Sequence, residues 1–565
     1  MGPTPADRII NVLEPATGVS VAPSVVLEFT DAALADLANA QDLPATVILH
    51  LSADLDVTDA RGATVATLSA ALRSIGSRVI PAFYVSDEVT ATRLSSWLGD
   101  TDLIDGFVVS SQPELVAQVR RSHPLIRGII DCRAAGSLDL PAVRHVANAN
   151  LSRIVLLPQS LADRQSVEYL QQRLMTVWVG EQPADVPTAV NHFNLVSTGA
   201  NGIVTVDAAG VIKVLGGAFP RDRVTLVRKP FVIGHRGIPA LAPENTLEGA
   251  RLAFEHGSDL IENDIHVTTD GQVVIHHDET LDRTTTGTGS IASRSLAELD
   301  GILANFQFPD RFPEAGIPTL ASYFESFRGT DVVHVVEIKS ADPAIIRPMV
   351  ELIREYQVED QVVAISFHAD QIRLLHRHMP GLSAGFLTGG QVDEAAPLRS
   401  VCSVLEIVQP LSTTYNPYYG GLGRNFLEAA KHRGITSWPW TFRAGDEDEF
   451  KDLFLAGLNG LTTDCSHWSG GWVDGLTPAA GRMELAVGSE SEVRARAGHY
   501  DRTSREVTPE IVVLSGADII RVAGATITGQ ARGTAWVTLR HWQDLGEGRG
   551  YFMYTGAIAV EVTAG

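Results

Sequence analysis

The chain has only three cysteines, Cys132, Cys402 and Cys465, and they lie far apart in 565 residues. An odd number without CxxC spacing predicts neither a disulfide framework nor a zinc site. The sequence also lacks apolar runs of 18 or more residues, and its start shows no basic segment followed by an apolar one. As written it therefore indicates a soluble chain without a transmembrane segment, although removal of an earlier leader stays open.

Positive charge is also scarce, because 44 Lys and Arg residues stand against 67 Asp and Glu, a formal net charge of −23. Such a field repels nucleic acid and anionic lipid, and no basic cluster reverses it locally, so nucleic acid is excluded as the main ligand. Hydrophobic residues make up 45% and charged residues 20%, which indicates a folded globular protein. The length predicts about three or four domains.

The N-terminal part alternates short apolar runs with amphipathic stretches, which is typical of parallel βα units. Eight runs predict a closed (β/α)8 barrel, with strands at 25–27, 47–49, 79–83, 106–109, 128–130, 153–157, 176–179 and 202–206. A second series of eight follows, at 231–234, 260–262, 335–337, 362–365, 384–387, 404–407, 435–438 and 460–462.

The two series resemble each other at a nearly constant offset, which favours an ancient duplication. The matched pairs are Ser110 with Ser366, Pro124 with Pro380, Thr176 with Thr436, Trp178 with Trp438, and Gly199-x-Asn201 with Gly457-x-Asn459. The same register places Glu28 and Phe29 opposite His235 and Arg236, Leu49 and Leu51 opposite Glu262 and Asp264, and Phe83 and Val85 opposite Glu337 and Lys339. On this alignment the first copy has lost the polar members of the second, and we expect it to be catalytically dead.

After Asp464 the helical periodicity disappears, and about seven short strand-like runs follow a turn-rich bridge. This pattern is typical of a β-sandwich. We therefore predict an α/β fold of two tandem (β/α)8 TIM-type barrels, at residues 1–228 and 229–470, followed by a small all-β immunoglobulin-like sandwich at residues 480–565.

Polar residues end three apolar runs of the second series, namely His235 and Arg236, Glu262 and Asp264, and Glu337 and Lys339. Charged residues are tolerated in buried parallel strands only at a mouth where they have partners. Active sites of (β/α)8 barrels lie at the carboxyl ends of the strands, so we expect all three pairs to converge on one mouth.

These residue types match the needs of phosphodiester cleavage. Glu262 and Asp264 share one face of their strand, and with Glu337 they offer hard oxygen ligands that suit Mg²⁺ and Ca²⁺ equally. The guanidinium of Arg236 can grip phosphate oxygens in a planar fork, and Lys339 adds a point charge.

His235 and His277 form a candidate acid–base pair, since imidazole has an ordinary pKa of about 6.5. Trp440, at a predicted strand end, is a candidate for stacking on the substrate, with core packing as the alternative. The segment 244–246 precedes an amphipathic run, so we expect it to cap a helix, with a role in the site as the second interpretation.

From about Phe231 to Asp464 the chain resembles the glycerophosphodiester phosphodiesterase family. The motifs of that family occur in order, as HRG at 235–237, PENT at 243–246, ExD at 262–264, HD at 277–278, EIK at 337–339, Ser366-Phe, Trp440-Thr and Thr463-Asp. The resemblance implies metal binding by Glu262, Asp264 and Glu337, acid–base catalysis by His235 and His277, and phosphate contacts from Arg236 and Lys339.

By the same resemblance the function is that of a metal-dependent phosphoric diester hydrolase. It would use one Mg²⁺ or Ca²⁺ to convert glycerophosphodiesters, small or polymeric such as glycerol-phosphate wall polymers, to a glycerol phosphate and an alcohol. One alternative is a phospholipase D-like lyase acting on lysolipids. The other is a structural or adhesive component of a larger assembly, such as a phage tail or a cell surface, with or without residual activity.

The C-terminal module favours a polymeric or surface-bound substrate, by fold analogy alone. We therefore expect an extracellular, cell-surface or virion-associated protein rather than a cytoplasmic one, and a homo-oligomer or a larger assembly is compatible with this. The sequence leaves open the alcohol, the choice of ion, the oligomeric state and the compartment.

Overall fold

The computed structural model describes residues 8–30, 42–390 and 392–564. Its N-terminal strands are β1 (Ser24–Glu28), β2 (Thr46–Leu51), β3 (Asp56–Thr58), β4 (Thr64–Thr67), β5 (Ile80–Tyr84), β6 (Phe107–Ser110), β7 (Arg127–Asp131), β8 (Ile154–Pro158), β9 (Thr176–Gly180), β10 (Gly202–Thr205) and the two-residue β11 (Val224–Thr225).

Eight of these strands form a closed parallel ring in the order β1-β2-β5-β6-β7-β8-β9-β10, because β1 pairs with both β2 and β10. β3 and β4 extend β2 as an antiparallel hairpin. Apolar side chains fill the ring, including the fully buried Phe107 and Trp178, whose rings pack edge to face. The predicted eight-stranded first barrel is therefore present.

Helices cover this ring, at Leu68–Ile75, Glu88–Gly99, Pro113–Ser122, Leu140–Ala149, Arg164–Gln172, Thr188–Ser197 and Ala208–Gly217. Several begin at an acidic side chain that accepts a backbone N–H, as at Asp87 and Asp139. Over the whole described part of the chain, no helix has the length and apolar character needed to cross a membrane.

The second sheet contains β12 (Phe231–Gly234), β13 (Leu260–Val267), β14 (Val273–Ile275), β15 (Val333–Ile338), β16 (Val362–Ser366), β17 (Ala384–Thr388), β18 (Thr414–Pro417) and β19 (Gly460–Thr463). Seven of them are parallel and form one curled sheet in the order β18-β17-β16-β15-β13-β12-β19, while β14 runs antiparallel to β13. Between β18 and β19, the segment 437–442 makes single parallel bridges to both neighbours instead of a regular strand. This sheet is therefore a curled, incompletely closed relative of the predicted second barrel.

The helices of this half are Leu247–Glu255, Leu296–Leu299, Leu320–Ser326, Ile346–Tyr356, Ala369–His378, Pro397–Val408, Arg424–Lys431 and Glu447–Leu455. The strand predicted at 404–407 is wrong, because these residues belong to the helix Pro397–Val408. Its buried residues include Val401, Val404, Leu405 and Val408, which follow the helical spacing of three and four. The strand that follows β17 in the second sheet is instead β18, whose sequence is more polar than the run 404–407.

The C-terminal part is built from β20 (Val473–Pro478), β21 (Arg482–Ala486), β22 (Glu490–Glu492), β23 (Ala495–His499), β24 (Ser504–Val507), β25 (Glu510–Ser515), β26 (Ile520–Ala523), β27 (Thr526–Gly529), β28 (Gly533–Gly546), β29 (Arg549–Tyr554) and β30 (Ile558–Thr563). The prediction that this part consists of strands is confirmed.

Together with β11, these eleven strands form one sheet of six and two sheets of three. β21 pairs in parallel with β30, and β11, which precedes the second sheet in the chain, pairs in parallel with β29. The immunoglobulin-like class and the predicted domain boundaries stay predictions.

The two barrels meet at the amino ends of their strands. Thr176, the first residue of β9, donates its hydroxyl to the carbonyl of Gly434 at 3.0 Å. Gln172 donates its amide to the carbonyl of Asp259, directly before β13, at 2.9 Å. Because the carboxyl ends of parallel strands lie opposite their amino ends, the barrels join base to base and their mouths open in opposite directions.

A buried ion cluster fastens this junction. Asp105 of the first barrel is fully buried, and its carboxylate accepts hydrogen bonds at 2.7 Å from Arg127 and from Arg433 of the second half. The backbone N–H of Ile10 donates to the same carboxylate at 2.8 Å. Two buried arginines thus depend on one carboxylate.

We expect Asp105→Ala to destabilise the protein by about 3–5 kcal/mol, because it leaves Arg127 and Arg433 buried without their counter-charge. Thermal unfolding followed by circular dichroism measures the effect. Asp102→Ala is the matched control, since Asp102 is largely exposed and pairs only with Arg8 among the described residues, and its expected cost is within about 0.5 kcal/mol. Equal midpoints for the two variants would contradict this role of the cluster.

Candidate active site

The predicted polar pairs all lie at the carboxyl ends of neighbouring strands of the second sheet. His235 and Arg236 directly follow β12, whereas Glu262 and Asp264 lie within β13. The parallel register of β13 and β15 places Asp264 beside Glu337. The structure therefore brings the predicted residues together at one mouth.

Glu262, Asp264 and Glu337 form a compact group of carboxylates. One oxygen from each lies within 4.8 Å of the others, and all three residues are buried. Two of the buried oxygens, Glu262 Oε1 and Asp264 Oδ1, accept no hydrogen bond. Buried acceptors normally have a donor, so these oxygens have the environment expected of ligands for a cation.

The pKa values of these carboxyl groups also indicate an environment suited to a cation. Burial, together with the charges of Asp264 and Glu337, raises the pKa of Glu262 well above its ordinary value. Burial and the charge of Asp264 also raise the pKa of Glu337, to about 7, although Lys339 opposes this. Like charges this close strongly disfavour full ionisation unless a cation joins them. The residues present therefore fit a divalent metal ion.

Two cations flank the carboxylates. Lys339 Nζ lies 3.1 Å from Glu337 Oε1 and 3.6 Å from Asp264 Oδ1. Arg236 has a positive φ of 52°, and its backbone N–H donates to Glu262 Oε2 at 2.8 Å. Its guanidinium lies 3.4 Å from Asp264 Oδ2. Both side chains remain partly exposed, so they can also meet an anionic substrate.

Each predicted catalytic histidine is held by a carboxylate. His235 Nδ1 lies 2.6 Å from Asp464 Oδ1, and His277 Nδ1 lies 2.5 Å from Asp278 Oδ1. Burial is the main cause that lowers the pKa of both imidazoles. A neutral ring that donates through Nδ1 keeps Nε2 as its proton acceptor.

The hairpin of β13 and β14 explains why His277 reaches the mouth. β14 pairs antiparallel with β13, with Ile275 opposite Ile265, so the chain returns to the end of the strand that carries Asp264. His277 Nε2 then lies 3.1 Å from Lys339 Nζ. The turn at Asp270-Gly271, where Gly271 has a φ of 79°, makes this return possible.

Sequence reasoning missed several partners of the site. It did not single out Asp464, although Thr463-Asp was one of the motifs. It placed helix capping first and a role in the site second for Glu244 and Asn245, and the contacts favour the second: Glu244 pairs with Arg236 at 3.0 Å and Asn245 Nδ2 donates to Asp264 at 2.8 Å. Only Thr246 of this segment caps the helix, by accepting the N–H of Gly249.

Trp440 lies at the same mouth, above the apolar interior of the sheet. Its indole N–H donates to the carbonyl of Asn416 at 3.0 Å, and its ring packs edge to face against Phe367 and Tyr418. These two partners are among the exposed aromatic side chains. The position suits the predicted contact with substrate.

The first barrel repeats contacts of the second. Ser110 donates to the carbonyl of Val85, and Ser366 donates to the carbonyl of Ile338, each at 2.8 Å. Asn201 accepts the N–H of Val177, as Asn459 accepts the N–H of Ser437 at the corresponding place of the second half. Equivalent hydrogen bonds at matched positions are what the predicted duplication leads us to expect.

The strand pairings correct the register predicted upstream of Ser110. They place Ile48 and His50 at the positions of Glu262 and Asp264, in place of Leu49 and Leu51. They likewise place Tyr84 at the position of Glu337, in place of Phe83, and Ser86 at that of Lys339, in place of Val85. The expectation that every polar member is lost is therefore wrong. A slip of one residue exchanges the two faces of a strand, which explains the error.

The mouth of the first barrel holds an ion network of its own. Arg133 donates to Asp131 at 3.0 Å and to Glu28 at 2.9 Å. Glu28 also lies 3.1 Å from His50, whose ring stacks on Tyr84. Burial raises the pKa of Glu28, but the hydrogen bonds from His50 and Arg133 outweigh it and lower the pKa to about 2. A guanidinium thus neutralises these carboxylates.

Residues 235–467 match the model of the glycerophosphoryl diester phosphodiesterase family. The chain is 31% identical over 243 residues to a glycerophosphodiester phosphodiesterase of Caldanaerobacter subterraneus subsp. tengcongensis, across 42% of this chain and 94% of the relative. It is 26% identical over 251 residues to the Bacillus subtilis glycerophosphodiester phosphodiesterase, across 41% and 83%. The chain belongs to the glycerophosphodiester phosphodiesterase family.

A solved structure, that of a glycerophosphodiester phosphodiesterase from Agrobacterium tumefaciens, is 26% identical and covers 42% of this chain and 97% of its own, with a TM-score of 0.36.

We expect isothermal titration with Mg²⁺ or Ca²⁺ to show one site, and Glu262→Gln to weaken binding at least about tenfold, because a neutral amide replaces a carboxylate ligand. Asp131→Asn, in the ion network of the first barrel, is the control and should leave the titration unchanged. A second stoichiometric site that disappears in the control variant would contradict the assignment.

Proposed function

We propose that this protein is a metal-dependent phosphodiesterase that hydrolyses glycerophosphodiesters to a glycerol phosphate and an alcohol. Membership of the family supports the reaction class. The single observation that carries the metal dependence is the buried group of Glu262, Asp264 and Glu337, whose ligand oxygens lie within 4.8 Å of one another.

The role proposed for each group follows from its position in the site. A divalent cation held by these three carboxylates would supply positive charge beside the phosphate oxygens. Arg236 and Lys339 lie next to the carboxylates and would bind the remaining phosphate oxygens. The phosphate would thus be held between fixed charges.

Proton transfer falls to His235 and His277. Each donates through Nδ1 to a carboxylate, so Nε2 is the atom that exchanges protons with the substrate. One imidazole would take a proton from the water that attacks phosphorus, and the other would give a proton to the alcohol oxygen as its bond to phosphorus breaks. Trp440 would line the part of the mouth that receives the substrate.

The chain's other two parts bear on the substrate only by analogy. A glycerol-phosphate polymer and an extracellular, cell-surface or virion location remain predictions, with the C-terminal sheets as the reason. Small diesters and polymers should therefore be assayed side by side.

We expect the purified protein with Mg²⁺ or Ca²⁺ to release glycerol phosphate or free alcohol from glycerophosphocholine or from glycerol-phosphate polymers, and chelation to abolish this. His235→Ala and His277→Ala should each lower kcat at least about a hundredfold, because each removes a proton carrier. Enzyme-coupled detection of the released product gives the rates.

The matched control is His378→Ala, an exposed histidine on the helix Ala369–His378, which should retain full activity. Absence of product from every diester with either metal would refute the proposed reaction. Retained activity in both site variants would refute the assigned proton carriers.

A further inference from the structure

Arg283 bridges two acidic side chains at the edge of the site. It lies in the segment that connects β14 to the helix Leu320–Ser326. Its guanidinium lies 2.5 Å and 3.1 Å from the two oxygens of Asp278. It also lies 3.0 Å and 2.7 Å from the two oxygens of Glu244. Each carboxylate is thus gripped in bidentate fashion, the geometry that arginine forms and lysine does not.

Both carboxylates hold a residue that faces the substrate. Asp278 accepts from His277 Nδ1 at 2.5 Å. Glu244 accepts from Arg236 Nη1 at 3.0 Å. Arg283 therefore connects a candidate proton carrier with a candidate phosphate-binding cation, through one intermediate carboxylate on each side.

The contact with Asp278 fixes the position of the carboxylate that accepts from His277 Nδ1. Burial raises the pKa of Asp278, but hydrogen bonds from Arg283 and His277 outweigh it and hold the pKa well below the ordinary value. An ionised Asp278 can only accept, so His277 donates through Nδ1. The Lys339 ammonium, 3.1 Å from His277 Nε2, favours an unprotonated nitrogen there as well.

The contact with Glu244 fixes the direction of Arg236. Without Arg283, Glu244 would keep Arg236 as its only charged partner within salt-bridge distance among the described residues. Its carboxylate would then be free to rotate, and the phosphate-binding guanidinium would move with it.

We propose that Arg283 is a positioning residue for the reaction. It keeps His277 in the Nδ1–H tautomer through Asp278, and it aims Arg236 through Glu244. This inference rests on the proposed function, since it assigns Arg283 a task in that reaction. About 46% of the side chain is exposed, so a direct contact with substrate and a simple tether for the segment are the two competing roles.

Steady-state kinetics of Arg283→Ala separate positioning from substrate contact. Positioning predicts that kcat falls about tenfold to a hundredfold, the range for lost outer-shell partners, with a smaller rise in KM from the loosened Arg236. Arg283→Lys should recover only part of the loss, because an ammonium cannot grip both carboxylates in bidentate fashion. Added guanidinium chloride should raise the rate of Arg283→Ala, since the position is open to solvent. A raised KM with unchanged kcat would overturn the proposal.

Arg311→Ala is the control for a tether. Arg311 lies in the same connecting segment and donates to the carbonyl of Leu241 at 3.0 Å, without contact to His277, Asp278 or Glu244. Its kcat should stay within twofold of the wild type. A loss equal to that of Arg283→Ala would show that the segment needs any anchor, and the positioning role would fall.

A measurement without turnover keeps this inference separate from the proposed function. In protein labelled with ¹⁵N-histidine, with His277→Gln to identify the signal, the nitrogen shifts of His277 should show the Nδ1–H tautomer. In Arg283→Ala they should show a mixture of tautomers or a protonated ring. Unchanged nitrogen shifts would overturn the proposal even if activity falls, whereas an inactive wild type that shows the expected shifts would sink only the proposed reaction.

Discussion

The site depends on one electrostatic constraint, the crowding of three carboxylates at the ends of β13 and β15. Register alone places Asp264 beside Glu337, and the alternation of β13 brings Glu262 to the same face. Charges of one sign in a buried place must be compensated. The side chains of Arg236 and Lys339 compensate part of this charge, and two of the buried carboxylate oxygens accept no hydrogen bond. Arg236, Lys339 and Asn245 all contact these carboxylates.

The residues of this site could be predicted from sequence because apolar strands tolerate charge only at their ends. His235, Glu262 and Glu337 each stand where an apolar run stops, so their convergence followed from the parallel arrangement. The partners could not be predicted in the same way. Asp464 reaches His235 across 229 positions of the chain, and only the closeness of β12 and β19 brings them together.

The errors in the predicted fold have local causes. The run 404–407 is as apolar as a strand, and only its burial at spacings of three and four marks it as helical. The slip at β2 arose because the connection from β2 to β5 is much shorter than the one from β13 to β15, and an offset counted from Ser110 does not hold across such a change. Pattern determines which segments are buried more reliably than it determines their register.

In the first barrel, the largely buried carboxylates are neutralised by an arginine side chain. At its mouth the carboxylates of Glu28 and Asp131 share the guanidinium of Arg133, so the counter-charge is covalently part of the chain. Since the barrels meet at their bases, neither mouth can cover the other. The first barrel contacts the second through the junction at their bases, as at Thr176 with Gly434 and Asp105 with Arg433.

The short strand β11 has a consequence for how the molecule can be divided. It lies between the barrels in sequence, yet its hydrogen-bonded neighbour β29 comes from the far end of the chain. The C-terminal strands therefore form a sheet with a segment that lies between the two barrels in sequence. A truncation that removes the last strands would therefore also leave β11, in the connection between the barrels, without the sheet it pairs with.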